Sequence, residues 1–178
     1  MKLVRNAMKI AIIGYSGSGK STLARMLAEK YNIAVLHFDT VQFKPNWEIR
    51  NEAVKKKMTE VFLNVHDSWV IDGNYSKLSF DRRMEEADVI ILLLFNRFSC
   101  LYRAWRRSKI YADKTRPDMA DGCNEKFDLE FMKWILWKGR TKRDRERYKN
   151  VIAQYPGKIV VIKNQKHLDR DIQSLVEK

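Results

Sequence analysis

Two hydrophobic periods take turns along this chain. Short β-branched or apolar runs occur at Lys9 to Ile13 (KIAII), Ile33 to Phe38 (IAVLHF), Ser68 to Asp72 (SWVID), Ala87 to Phe95 (ADVIILLLF) and Lys158 to Ile162 (KIVVI). All five read as short strands, and Lys9 to Ile13 and Ala87 to Phe95 fit strands buried in a parallel sheet. Between them the spacing becomes helical. Leu23, Leu27 and Tyr31 share one side of a helix, as do Val54, Met58, Val61 and Phe62, and again Phe98, Leu101, Tyr102 and Trp105. A short charged helix is expected over 77–86, one long helix or two broken near Gly139 over 127–153, and a closing helix over 168–176. Pro45-Asn46 reads as a turn, and the polar stretch 112–126, with Pro117 and Gly122, as an irregular flap. Strands alternating with helices predict right-handed crossovers and a parallel α/β sheet with helices on both faces.

Size and charge narrow the picture. At 178 residues the chain is most simply one domain, 1–178, with room for a substantial core. No apolar run approaches the roughly 20 residues of a membrane span, so no membrane partner is expected. The basic N-terminal stretch is not expected to be a signal peptide, because the apolar run Ile10 to Ile13 leads straight into a loop; residues 1–7 read as an extension, with Met8 a candidate start. Cys100 and Cys123 form no C-x-x-C pair, and the expected compartment is the reducing cytosol. The net charge of +13 is uneven: residues 1–96 hold 14 Lys and Arg against 11 Asp and Glu, and residues 97–178 hold 21 against 11. The second half therefore faces anions. Charge alone does not separate nucleotide phosphates from nucleic acid or from mere solubility.

The first strand run supplies the chemistry. Gly14 to Ser21 reads GYSGSGKS and fits G-x-x-x-x-G-K-[ST] at every fixed position, after a strand and before a helix. Glycines let successive backbone N–H groups converge on a phosphate, and the helix opening at Lys20 adds its positive end. The candidate cofactor-binding residues are Gly14, Ser16, Gly17, Ser18, Gly19, Lys20, Ser21 and Thr22. Lys20 suits the outer phosphates of ATP, and the Ser21 hydroxyl suits Mg²⁺.

Asp39 and Asp72 both end predicted parallel strands, the rim where open α/β sheets bind ligands. Asp72 is assigned to the metal and Asp39 to the acceptor, as the group that binds it or takes its proton; a turn or helix-cap role is the alternative for each. Phosphoryl transfer spreads charge over equatorial oxygens, so a cation closing on them acts in the transition state. Arg103 and Arg107 share one helix face, Arg116 sits in the flap, and Arg140 and Arg143 follow it. The catalytic candidates are Lys20, Asp39, Arg103, Arg107, Arg116 and Arg140, with solvated helix faces as the alternative for any single arginine. Phe43, Trp47 and Tyr75 suit an acceptor pocket or, the reading given more weight, packing under the second helix. His37, His66 and His167 make no zinc-ligand spacing, and Cys123 reads as structural.

GYSGSGKST, the Asp39 strand end, WVIDGNY at 69–75, ADVIILL at 87–93, RAWRRS at 103–108 and DGC at 121–123 together resemble adenylate-kinase-related P-loop proteins often labelled DNA topology modulation proteins. The likeness runs from Met8 to about Ile162. It implies a three-layer P-loop NTPase fold with a five-stranded parallel sheet of order 2-3-1-4-5, a mobile lid near 110–126, an acceptor-binding segment at 39–66, and ATP with Mg²⁺. Asp72-Gly73 matches the start of the adenylate kinases' Asp-Gly-Phe-Pro-Arg, and Arg103 and Arg107 match their paired arginines before the lid. Asn74, Tyr75 and Ser76 replace Phe-Pro-Arg, so the arginine that grips a monophosphate acceptor is missing, with Arg50 and Arg83 as candidate substitutes. A nucleoside, a nucleotide or a small hydroxyl metabolite all remain open as acceptor. The first functional reading is a small-molecule kinase. The alternative is an ATP-binding, nucleic-acid-associated regulator.

Overall fold

The computed structural model describes residues 7–112 and 114–176; the extension expected over residues 1–7 lies, apart from Ala7, outside them. Five strands form one sheet: β1 (Lys9–Gly14), β2 (Ala34–His37), β3 (Trp69–Asp72), β4 (Val89–Leu93) and β5 (Ile159–Ile162). Their order is β2-β3-β1-β4-β5 and every pairing is parallel, as expected. The helices are α1 (Lys20–Tyr31), α2 (Phe38–Gln42), α3 (Glu52–Val65), α4 (Phe80–Glu86), α5 (Arg97–Ile110), α6 (Leu129–Leu136), α7 (Lys142–Gln154) and α8 (Gln165–Val176). The break expected near Gly139 is a 3₁₀ turn over Lys138–Arg140, after which a Thr141–Asp144 capping box restarts the helix.

Alternate residues of β1 divide the core. Ile10 and Ile12 face a cluster with Leu23 and Leu27 of α1, Cys100 and Ala104 of α5, Ile135 of α6 and Leu168 of α8. Ala11 and Ile13 face Phe38 and Val41 of α2, Leu63 of α3, Met84 of α4 and Val151 of α7. The result is a three-layer α/β sandwich whose central strands are buried on both sides, which explains their unbroken apolar runs. Among the described residues no helix is long and apolar enough to cross a membrane.

The second strand differs from its reading. It ends at His37, and Phe38 begins α2, so Asp39 lies in the first turn of a short helix rather than at the strand end. Fully buried Phe38 turns the chain here, packing its ring against Tyr75 at 5.7 Å.

Two helix faces also differ. In α3, Val54, Met58, Val61 and Val65 are exposed, while Lys55, Thr59 and Leu63 are buried and Phe62 is partly buried. The helix is rotated so that Lys55 meets Gln42 at 3.0 Å and Glu52 at 3.2 Å. In α5, Phe98, Tyr102 and Trp105 are exposed, Leu101 of the same stripe is partly buried against the core, and the small Cys100 and Ala104 face inward. Small residues let α5 approach the loop after β1. A Cβ on Gly17 would stand 2.5 Å from the Cys100 carbonyl oxygen, so this position accepts only glycine.

Candidate active site

The loop between β1 and α1 opens a cleft along the carboxyl rim of the sheet. Gly17 and Gly19 take left-handed φ values of 75° and 96°, which turn the chain into α1. The amides of Gly17, Gly19, Lys20, Ser21 and Thr22 have no protein acceptor among the described residues. Unpaired N–H groups at a helix N-terminus form an anion cradle. Ser16, Gly17, Gly19, Lys20, Ser21 and Thr22 line the cleft. Gly14 and Ser18 lie beneath it, Ser18 fully buried and Gly14 clamped by Asn74, whose side chain accepts from the Gly14 amide at 3.0 Å and donates to its carbonyl at 2.6 Å.

Lys20 Nζ donates to the Tyr15 carbonyl at 2.9 Å. Burial lowers the Lys20 pKa, and the nearby negative charges of Asp72 and Asp39 oppose that shift without an ion pair to the ammonium among the described residues. Ser21 Oγ donates to Asp72 Oδ2 at 2.7 Å, and His37 Nδ1 lies 2.6 Å from Asp72 Oδ1. Register explains the second contact, since β2 and β3 pair with His37 beside Asp72. Burial disfavours the charged imidazole, but the hydrogen bond and charge of Asp72 outweigh it, and the His37 pKa is raised. His37 is a member of the site that the sequence reading set aside; its signal was a shared last-strand position with Asp72. A hydroxyl and a carboxylate form the oxygen-only donor pair that suits a hard divalent cation such as Mg²⁺.

Asp39 accepts from the Tyr75 hydroxyl at 2.8 Å. Burial, then the charge of Asp39, raises the Tyr75 pKa, so the phenol stays a donor. Asp39 makes no ion pair among the described residues.

The arginines sort into different places. Arg103 lies beside the loop, 3.4 Å from the Ser18 carbonyl, bonded to Gln165 and stacked over Phe95 at 4.4 Å. Arg107 and Arg116 also line the cleft but meet at Glu125, a buried carboxylate 2.7 Å from each. Arg116 also pairs with Asp118 at 2.8 Å. Glu125 was not singled out from the sequence because its partners lie 18 and 9 residues away on different segments. Arg140 does not join them. It stacks over Tyr15 at 3.8 Å and donates to the carbonyls of Ile135 and Phe95, bracing the loop from behind.

The two candidate substitutes for the missing arginine are also committed elsewhere. Arg50 donates to the carbonyls of Val41 and Phe43 at 3.1 Å each. Arg83 is fully buried, donates to the carbonyls of Leu78, Gly73 and Tyr75, and lies over Phe38 at 4.3 Å. Burial pulls its pKa down to about 9, with Asp72 opposing.

Phe43 and Trp47 line the cleft rather than packing under α3, with ring centroids 5.2 Å apart. Asn46 and Trp47 have φ of 62° and 65°. Consecutive left-handed residues without glycine cost about 1–3 kcal/mol each and persist only where surroundings enforce them. Here Cys123 does so, its thiol accepting from the Trp47 amide at 3.4 Å and donating to the Lys44 carbonyl at 3.1 Å. The 43–49 segment and the 115–125 segment are thereby docked together over the cleft. The space they cover, about 1270 Å³, exceeds the roughly 300–1,000 Å³ of a site for one small ligand.

No protein-family model matches the chain, and no curated protein does. Among solved structures, a shikimate kinase from Bacteroides thetaiotaomicron is similar at 17% identity and a TM-score of 0.52, over 96% of both chains. An uncharacterized protein from Eubacterium ventriosum aligns at 17% identity and a TM-score of 0.48, over 96% of this chain and 99% of that one. The sheet order, the glycine loop and the structural likeness together give the chain a P-loop kinase-like fold.

Proposed function

We propose that the protein is an ATP-dependent phosphotransferase that moves the γ-phosphoryl group of MgATP to a hydroxyl of a small acceptor. The loop amides and Lys20 would hold the β- and γ-phosphates, and Arg103, with Arg107 and Arg116, would face the transferring group. Ser21 and Asp72 would hold Mg²⁺, oriented by His37 from behind. When bound, that ion neutralises charge on the phosphate oxygens. Asp39, fixed by Tyr75, would accept the hydroxyl proton as the acceptor oxygen bonds to the γ-phosphorus. The bond from that phosphorus to the β–γ bridging oxygen breaks, and ADP leaves with the electron pair.

The observation that carries this reading is the pairing in one cleft. An amide cradle with a lysine lies at one end and a carboxylate free of cation partners at the other, in space for two ligands. The 39–66 segment would bind the acceptor and the 110–126 segment would act as the lid that excludes water. The resemblance to topology modulation proteins also raises a nucleic-acid-bound regulator. That alternative requires duplex-DNA binding that weakens steeply with salt and no acceptor-stimulated turnover. The test follows transfer of labelled γ-phosphate with acceptor present and absent, in wild type and Lys20→Ala. Acceptor-stimulated transfer lost in the folded variant supports the proposal; equal transfer by both proteins refutes it.

A further inference from the structure

Resting on the phosphotransferase reading, we infer that the acceptor is uncharged and joins a flat ring to its hydroxyl, as a nucleoside does. The geometry that carries this is the state of the cations around Asp39. Lys55 is buried and held by Glu52 and Gln42. Arg116 is buried between Asp118 and Glu125, and Arg107 shares Glu125. Arg50 and Arg83 are spent on backbone carbonyls. Lys20 and Arg103 are assigned to the nucleotide's phosphates; of the other cations lining the cleft, Lys77, Arg106 and Lys126 are exposed, Lys126 lying over the Trp47 ring at 5.6 Å, and Arg25 of α1 is part-buried.

A phosphate or carboxylate on the acceptor that engaged the buried cations at this end would therefore have to break an ion pair, and it would approach the Asp39 carboxylate. Buried pairs broken on one side leave an uncompensated charge, so such an acceptor is disfavoured. Hydroxyl donors meet no such penalty: Asp39 has acceptor capacity beyond its bond from Tyr75. The walls are aromatic. Phe43, Trp47 and Tyr75 line this end, and the Trp47 indole N–H is buried without a partner among the described residues. The Trp47 backbone is held in its left-handed conformation by Cys123, and its ring meets that of Phe43 edge-on, with the planes at 70°. Aromatic faces set at a fixed angle favour a flat partner over a flexible sugar.

The test measures acceptor-stimulated ADP release with four panels: nucleosides, the corresponding monophosphates, neutral sugars and small hydroxy-carboxylates. Binding of a non-hydrolysable ATP analogue is titrated in parallel. The expected result is stimulation by at least one nucleoside, with kcat/KM at least about tenfold above its monophosphate and above any sugar or carboxylate. Trp47→Ala should raise the nucleoside KM about tenfold with the analogue's Kd unchanged, and Trp47→Phe should restore most of it. A preference for monophosphates, carboxylates or sugars overturns the inference while the phosphotransferase reading stands. Analogue binding with no acceptor used also overturns it. Failure to bind the analogue removes the underlying reading itself, and the two failures are thus distinguishable. Should Trp47→Ala not fold, the panel on the wild type and Trp47→Phe still decides.

Discussion

The two ends of the cleft are built on opposite electrostatic plans. At the loop end, donors stand ready: amides without acceptors, Lys20 bonded only to a carbonyl, and Arg103 alongside without a carboxylate in ion-pair range among the described residues. At the Asp39 end, the buried cations are already paired with Glu125, Asp118 or Glu52 or hydrogen-bonded to backbone carbonyls. An anion entering this cleft gains at the loop end, whereas at the other end it must first displace a partner. The fold alone does not dictate this asymmetry; it follows from which side chains reach which end.

Substitutions can break the comparison from either side. The largest effect is expected from Lys20→Ala, with phosphoryl transfer falling roughly 10³–10⁵-fold, the scale of a cation that stabilises charge on the transferring phosphoryl group in the transition state. Single-turnover kinetics with labelled ATP would measure it. Asp39→Asn should lower kcat by roughly 10²–10⁴-fold, the usual contribution of a positioned base, and leave the analogue's Kd unaltered. A matching loss of nucleotide affinity would mean that the two ends are not separate.

Arg83→Ala tests the support beneath both ends, since the guanidinium holds the carbonyls of Gly73 and Tyr75 beside Asp72 and Asp39. Removing it strands buried acceptors and should cost about 3 kcal/mol in chemical denaturation. A cost under about 0.5 kcal/mol would contradict its bracing role. The smallest effect is expected on α3. Val61→Gln should change stability by less than about 0.5 kcal/mol, as at other surface positions, because Val61 is 52% exposed. A larger loss would mean that the stripe of Val54, Met58, Val61 and Phe62 packs against the core after all.

How much of this was legible without coordinates depends on distance along the chain. The five strands were, apart from the end of β2, because each leaves a short apolar run, buried in central β1, β3 and β4 and part-buried at the edges β2 and β5, and the glycine loop was, because its parts are contiguous. The outward faces of α3 and α5 were misread for one reason. Val54, Met58, Phe98 and Trp105 are as apolar as core residues, and only the packing of Lys55, Cys100 and Ala104 decides which face turns inward. Site residues joined by long-range contacts left no local mark. Asn74 clamps Gly14 across 60 residues, His37 meets Asp72 across 35, and Glu125 binds Arg107 across 18. Arg140 is the converse: an arginine in a basic run, suited by position to phosphates, that the fold spends on Tyr15 and two carbonyls.

The claim of two separate ends is tested most directly by calorimetric titration of a magnesium-bound, non-hydrolysable ATP analogue into three proteins: wild type, Lys20→Ala and Asp39→Asn. Wild type and Asp39→Asn should bind with affinities within about twofold of one another, and Lys20→Ala should bind at least about tenfold more weakly, a loss of about 1.4 kcal/mol. Equal weakening in both variants, or equal binding by all three, would contradict the account.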